Sequence, residues 1–298
     1  MILSAGLILG LCSMNSARAA TVRVVAGSGV LLDITQRTIP GAATASKADR
    51  ERNFDTGYDR VWEARASADT SSKIIRLYAS EKATALFARP IGPQPAVAAA
   101  DINDDVQFSS VSAGHDRLAI SFNPVTVSGK VTIIDTNYQF LSAQITGFVT
   151  AVSGVNVAQK NLTASTAVGP GQSLIDDSVG ASAALDSLVI HNGDSVHLEW
   201  SLTVSTVFGA GSGIASGATG QIVTDLEHTE KWGGLASVFD LDTHKFIGDI
   251  HLTSALGVDW ASPSLEVAPV PIPAGAWLFG SAMSGLVFAR RRVALKFA

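Results

Sequence analysis

The sequence predicts an all-β body, an antiparallel β-sandwich of jelly-roll-like winding, set between two terminal segments of another kind. Three observations carry this. Apolar residues alternate with polar ones through most of the chain, and there is no long 3.6-residue period. Gly, Asn, Asp and Ser punctuate the alternating runs at short intervals. Charged residues are only 16% of a 298-residue chain whose hydrophobic share is 47%, a balance that suits a turn-rich exported domain better than a charged helical one.

The clearest strand is "SVHLEWSLTVSTV", which puts Val196, Leu198, Trp200, Leu202 and Val204 on one face and His197, Glu199, Ser201 and Thr203 on the other. "SGKVTIIDTNYQFLSAQITGFVTAV" reads as a hairpin that rises through Val131 and Ile133, turns at Asp135–Asn137 and returns through Phe140 and Ile145. "SKIIRLYASEKATALFA" reads as a second hairpin turning at Ser80-Glu81-Lys82, and "VFDLDTHKFIGDIHL" as a third turning at Asp242-Thr243-His244. The charged, Ala-rich "PGAATASKADRERNFDTGYDR" is expected to form a short helix or a mobile loop. "GAGSGIASG" is expected to be a loop between strands. The Pro170-Gly171 turn is a point where the sandwich could divide, but no repeat of fixed period supports two domains, so one domain over 20–266 is expected.

The first twenty residues, "MILSAGLILGLCSMNSARAA", have an apolar core from about Ile2 to Cys12. Polar residues and the small-x-small site Ala17-Arg18-Ala19 follow. This predicts a secretory signal peptide over 1–19. Cys12 is the single cysteine and falls inside it, so the body is expected to hold no disulfide and no thiolate metal site. Five of the 21 basic residues (Arg18, Arg290, Arg291, Arg292, Lys296) lie in the terminal segments. That leaves 16 against 26 acidic residues, a formal charge of −10 for the body. Such a body is a poor match for nucleic acid or anionic lipid.

At the other end, Ala274–Ala289 is an apolar stretch long enough, as a helix, for about 24 Å of membrane. Trp277 is placed for one interface, and Arg290, Arg291 and Arg292 are placed to stay on the cytoplasmic side. Pro269, Pro271 and Pro273 stop that helix from extending backwards and hold the preceding peptide extended. Small residues along the stretch make it a weak permanent anchor and a suitable transient one.

The motif Val270-Pro271-Ile272-Pro273-Ala274, followed by Trp277-Leu278-Phe279-Gly280 and by Arg290-Arg291-Arg292, resembles the PEP-CTERM sorting signal of Gram-negative bacteria in its V-P-x-P-A variant. Ile272 stands where the eponymous motif has Glu, and "VALKFA" continues past the arginines. The resemblance implies a sorting segment over 267–298, processed by an exosortase-type membrane protease after transient contact with the inner membrane. It also implies a location at the cell surface or in the extracellular matrix, in association with exopolysaccharide. "ARASADTSSKIIRLYAS" and "DDVQFSS" are similar to the β-rich bodies of such proteins, the second as an acidic turn ahead of a strand.

Candidate sites in the body are few. Asp101, Asn103 and Asp105 of "DINDD" match the opening spacing of an EF-hand, but Val106 and Ser112 stand where its Gly and bidentate Glu belong. What remains is a solvated acidic turn or a calcium site of another kind on a sandwich loop, calcium being the one cofactor the residues bring into view. Trp232, in "EKWGGL", is either an exposed ring that stacks on a sugar or a plug for one end of the sandwich; Trp200 is expected in the core. His115, His191, His197, His228, His244 and His251 show no zinc-protease spacing. Asp176, Asp177, Glu199 and Asp225 are candidates for paired-carboxylate hydrolysis without a feature that selects among them. The residues present no nucleophile elbow and no phosphate loop. The expectation is therefore a structural or adhesive exported protein, with a carbohydrate-binding module and then a surface hydrolase as alternatives.

Overall fold

Alternation at period two dictates a pleated chain with one face buried, and the computed structural model has strands throughout. It describes residues 20–264 except 30, 89, 91, 111–115, 137–139, 169–173, 210–213 and 249, and except the side chains of 136 and 227–230. The chain divides into two units, Met1–Ser264 and Leu265–Ala298. The expected signal peptide, the Pro170-Gly171 turn and the sorting segment with Val270–Ala274 and Arg290–Arg292 lie outside the described residues. Among the described residues there is no helix, and every strand pairing is antiparallel.

One sheet runs β10 (Asn156–Val168), β9 (Leu141–Ser153), β13 (Ser195–Phe208), β6 (Ala96–Ser110), β1 (Thr21–Ser28), β2 (Leu31–Arg37), and β17 (Ile250–Ser254) pairs with the later half of β6. The facing sheet runs β11 (Leu174–Ala183), β8 (Val125–Thr136), β14 (Thr219–Lys231), β5 (Ile74–Ala85), β4 (Tyr58–Asp69), β3 (Ala42–Asn53). The two stack in the same order: β10 lies over β11 and β8, β13 over β14 and β5, β6 over β5 and β4, and β1 over β4 and β3. A third sheet, β12 (Leu188–His191), β7 (Arg117–Phe122), β15 (Leu235–Asp240), β16 (Lys245–Phe246), prolongs the second past a break. β7 continues into β8 through Asn123-Pro124, and β14 into β15 through Trp232-Gly233-Gly234. Pro124 has no N–H to give the ladder. A side chain on Gly233 would stand 2.4 Å from the Pro124 carbonyl, so the two strands cross the break only because one of them carries glycine there.

The core has two textures. Between β1, β3, β4, β5 and β6 the inward positions are largely alanine (Ala26, Ala43, Ala64, Ala66, Ala79, Ala98). Toward β8, β9, β13 and the third sheet they are Val, Ile, Leu, Phe and Trp, including Phe108, Ile133 and Trp200. The bulky side buries more apolar surface per residue than the alanine side.

β13 has the expected facing, with Val196, Leu198, Trp200, Leu202 and Val204 buried, and the chain turns at Leu241–His244 between β15 and β16. Three expectations are corrected. No turn occurs at Ser80-Glu81-Lys82. β5 is one strand with Leu77, Ala79, Glu81, Ala83 and Ala85 facing inward, and the buried acid interrupts an alternation that alanine marks only weakly. "AATASKADRERN" is neither helix nor loop but β3, an edge strand whose charges face solvent and discourage further pairing. β8 and β9 form no hairpin, because they belong to different sheets.

Candidate functional site

"DINDD" is neither a turn nor a loop; it lies within β6, so its residues are divided between two faces. Asp101, Asn103 and Asp105 point outward, while Ile102, Asp104 and Val106 point into the sandwich. On the outer face Ser201 Oγ donates to Asp101 Oδ1 at 2.5 Å, and His197 Nδ1 lies 2.8 Å from Asp105 Oδ1. Asn103 stands opposite Glu199 of β13. Strand geometry spaces alternate residues by about 6.6 Å, which spreads the expected cation ligands along the strand instead of gathering them. Among the described residues no three His, Cys, Asp or Glu side chains converge to hold a metal ion. The same registry that corrects the expected calcium turn also places "DDVQFSS" inside a strand.

The inward member, Asp104, is fully buried and organises the end of the body. Its carboxylate accepts from Leu256 N at 3.0 Å, from Trp260 Nε1 at 2.6 Å and from Ser254 Oγ. A buried carboxylate is stable when donors surround it, and here all of them come from residues 254–260. Trp260 in turn packs edge-on against Trp232, ring centroids 5.1 Å apart, and its carbonyl accepts from Trp232 Nε1 at 2.9 Å. Phe122 and Trp200 flank the Trp232 ring at 5.5 and 6.3 Å. Trp232 is therefore the plug of the sandwich. It is 1% exposed, so the reading of it as a sugar-stacking ring is corrected.

The last described residues are tied down further. Lys73, at the β4–β5 turn, donates through Nζ to the carbonyls of Asp259 and Ser262, both at 2.8 Å. Ser264 Oγ donates to the Lys73 carbonyl at 2.5 Å, and Ser264 N donates to the Trp232 carbonyl at 2.9 Å. Bonds from Ser262 Oγ and from the Ser262 and Ala261 amides, with the Lys73 charge behind them, hold the Asp259 carboxyl below the usual aspartate range despite its partial burial. Burial lowers the Lys73 ammonium, and Asp259 opposes that shift. The start of the body meets its end here: Thr21 pairs with Asn103, and Ala255 N donates to the Asp105 carbonyl.

The other sequence candidates do not come together. Asp176, on exposed β11, takes Lys130 Nζ at 2.9 Å and Thr132 Oγ1 at 2.8 Å, which hold it below the ordinary aspartate range. Asp225 is on β14 across β8 from it, and Glu199 is on the opposite sheet. His191 faces Asp194 at 3.5 Å, His244 occupies a turn with φ 58°, and His251 lies on β17. Sequence reasoning missed Lys73, Asp104 and Trp260. For Asp104 a signal existed, its even-numbered place between Ile102 and Val106. For Lys73 there was none, since its partners lie 186 and 189 residues further on. A second polar group, buried Arg60 and Glu81 with the more exposed Glu51, bonds across the sheets to Ser28, Thr206 and Ala96 at the far end of β1 from this docking site.

No family model matches the chain, and no curated protein matches it. One solved structure, described as "Pore forming protein", is similar at 6% identity over 77% of this chain and 93% of that one, with a TM-score of 0.12, a likeness too low to carry an argument about fold or function.

Proposed function

We propose that this chain is an exported surface or extracellular-matrix protein of a Gram-negative bacterium, structural or adhesive and exopolysaccharide-associated. In this reading its body is a jelly-roll-like sandwich, and an exosortase-type protease sorts it through the segment 267–298. The observation that carries the reading is the co-occurrence of Val270-Pro271-Ile272-Pro273-Ala274 with Arg290-Arg291-Arg292 behind an apolar stretch. The body lends support in two ways. Its last described residue, Ser264, is pinned by Lys73 and Trp232 a few residues before the motif begins, so a cut within the motif would leave these ties in place. Its first strand starts beside the same stretch of β6, so the described chain begins and ends at one end of the body. A sugar-binding module has lost its aromatic argument with the burial of Trp232.

Intact-mass spectrometry of the protein recovered from native envelope and medium tests the proposal. A chain ending near Pro273, absent when the exosortase is deleted, supports it. A chain that retains Arg290–Arg292 in the membrane whether or not the exosortase is present overturns it.

A further inference from the structure

Glu81 sits in mid-strand on β5 with its carboxyl between the sheets, 1% exposed. Its Oε2 accepts from Thr206 Oγ1 of β13 at 2.5 Å and from Ala96 N of β6 at 3.3 Å, and its Oε1 lies 3.3 Å from Arg60 Nη1 of β4. Arg60, 3% exposed, makes its shorter bonds elsewhere. Nη2 and Nε reach Glu51 Oε2 of β3 at 2.7 and 3.0 Å, while Nη1 also donates to Ser28 Oγ of β1 at 2.9 Å and to the Gln94 carbonyl. Tyr58 OH donates to Glu51 Oε1 at 3.0 Å. The groups facing Glu81 are thus Arg60 from β4, with Glu51 and Tyr58 behind it, the Thr206 hydroxyl from β13 and the Ala96 amide from β6. In the ladder its neighbours are Trp62 of β4 and Ile222 of β14, which carry no charge.

One guanidinium therefore stands between two carboxylates. Glu51 is the more exposed and takes two of its N–H groups. With Glu51 ionised the cluster is electrically neutral only while Glu81 keeps its proton. A second carboxylate charge would sit unbalanced in a low-dielectric interior lined by alanine.

We propose that Glu81 is a proton-operated latch between the two sheets: it carries a proton in the packed body, and release of that proton loosens β5 from β6 and β13 at this end of the fold. Burial, the largest influence, pushes the Glu81 carboxyl up to about 7 against the opposing pull of Thr206, Arg60 and the Ala96 amide. Burial also pushes Glu51 upward, but its bonds from Arg60, Tyr58 and Asn53 outweigh that and leave it below the ordinary glutamate range. In the unfolded chain Glu81 titrates near its ordinary 4.5. Between about 4.5 and about 7 the folded body therefore binds the extra proton, and stability falls as pH rises through that window before levelling off above it. The carboxylates held low by partners titrate beneath this window and act with the opposite sign.

The test is the thermal unfolding midpoint of the full chain followed from pH 4.5 to 8.5, alongside Glu81→Gln and Glu51→Gln. The wild-type midpoint should fall by roughly 5–10 °C between pH 5 and 7.5. Glu81→Gln should remove most of that slope. Glu51→Gln frees Arg60 for Glu81 and should move the fall toward lower pH. A slope unchanged in Glu81→Gln overturns the latch. Should that variant fail to fold, carbon-13 NMR of the glutamate carboxyls in the wild-type chain decides: a buried carboxyl titrating close to neutrality is expected, and a midpoint below 5 for every glutamate overturns the proposal.

Discussion

Asp104 and Trp260, 156 residues apart in the chain, share a 2.6 Å hydrogen bond inside the sandwich, and the body closes around it. The bond joins a middle strand of one sheet to the last described residues of the body. The neighbouring carboxylate, Asp105, faces outward from the same strand and makes none of these contacts.

That contrast sets a first expectation. Asp104→Ala leaves the Trp260 indole N–H and the Leu256 amide without acceptors in the interior, which should destabilise the body by about 2–4 kcal/mol in urea unfolding. Asp105→Ala should cost less than about 1 kcal/mol. Equal effects would show that the two carboxylates are not on opposite faces.

Trp232 anchors the aromatic cluster with Phe122, Trp200 and Trp260. Trp232→Ala should cost about 3–5 kcal/mol, and Trp232→Phe, which keeps most of the volume but leaves the Trp260 carbonyl without its donor, clearly less. The readout is the denaturant midpoint together with near-ultraviolet circular dichroism, where loss of the indole packing should flatten the signal.

Acid should release the tail through Asp259. Its carboxyl is held below the usual aspartate range, so the stability it contributes is present above about pH 4 and is lost as pH falls through its lower folded value. Hydrogen exchange of the Ala261 and Ser262 amides, corrected for the intrinsic rate, should accelerate below pH 4 in the wild-type chain. In Asp259→Asn it should already be fast at neutral pH and show no such transition.

Glycines on the two sheets should respond differently to one methyl group. A Cβ at Gly147 would meet the Ser201 carbonyl at 2.4 Å, whereas at Gly180 the nearest atom is the Val127 carbonyl at 3.5 Å. Gly147→Ala should therefore destabilise by about 2 kcal/mol or more, while Gly180→Ala, in ordinary van der Waals contact, should be neutral or slightly stabilising. Differential scanning calorimetry of both variants separates them.

The β2–β3 edge carries its own protection. Asp33 Oδ2 accepts from Ser46 N at 2.9 Å, and Arg37 Nη1 donates to the Ala42 carbonyl at 2.5 Å, so two edge groups of β3 are covered by side chains of β2. Leu31, Leu32 and Ile34 are exposed on the same strand. Removing both caps, Asp33→Ala with Arg37→Ala, should increase self-association of the purified protein by light scattering. An unchanged monomer fraction would mean that the caps do not guard this edge.

The strands that were legible in the sequence are those whose inward residues are large. β13 declares itself through Val196, Leu198, Trp200, Leu202 and Val204, and the turn after β15 through Asp242 and Thr243. β5 was obscured because alanine marks its inward face and Glu81 interrupts it. β3 was obscured because an edge strand carries the charges that a loop would. The docking site was illegible for a different reason. Lys73, Asp104, Trp232 and Trp260 are scattered over nearly two hundred positions, and only the pairing of β17 with β6 and the turn after β4 bring them together. Local pattern can show which way Asp104 points, but not what it will meet.

β6 is paired along its length, by β13 on one side and by β1 and then β17 on the other. A pull applied at Ser264 passes through Trp260 and Asp104 into that strand, and also through Lys73 into the turn between β4 and β5. The load reaches β6, whose ladders lie on both sides of it, before it reaches the short edge strand β17. A body held at that end would meet drag through its tryptophan-packed end and, by way of Lys73, through the turn that joins two of its alanine-lined strands.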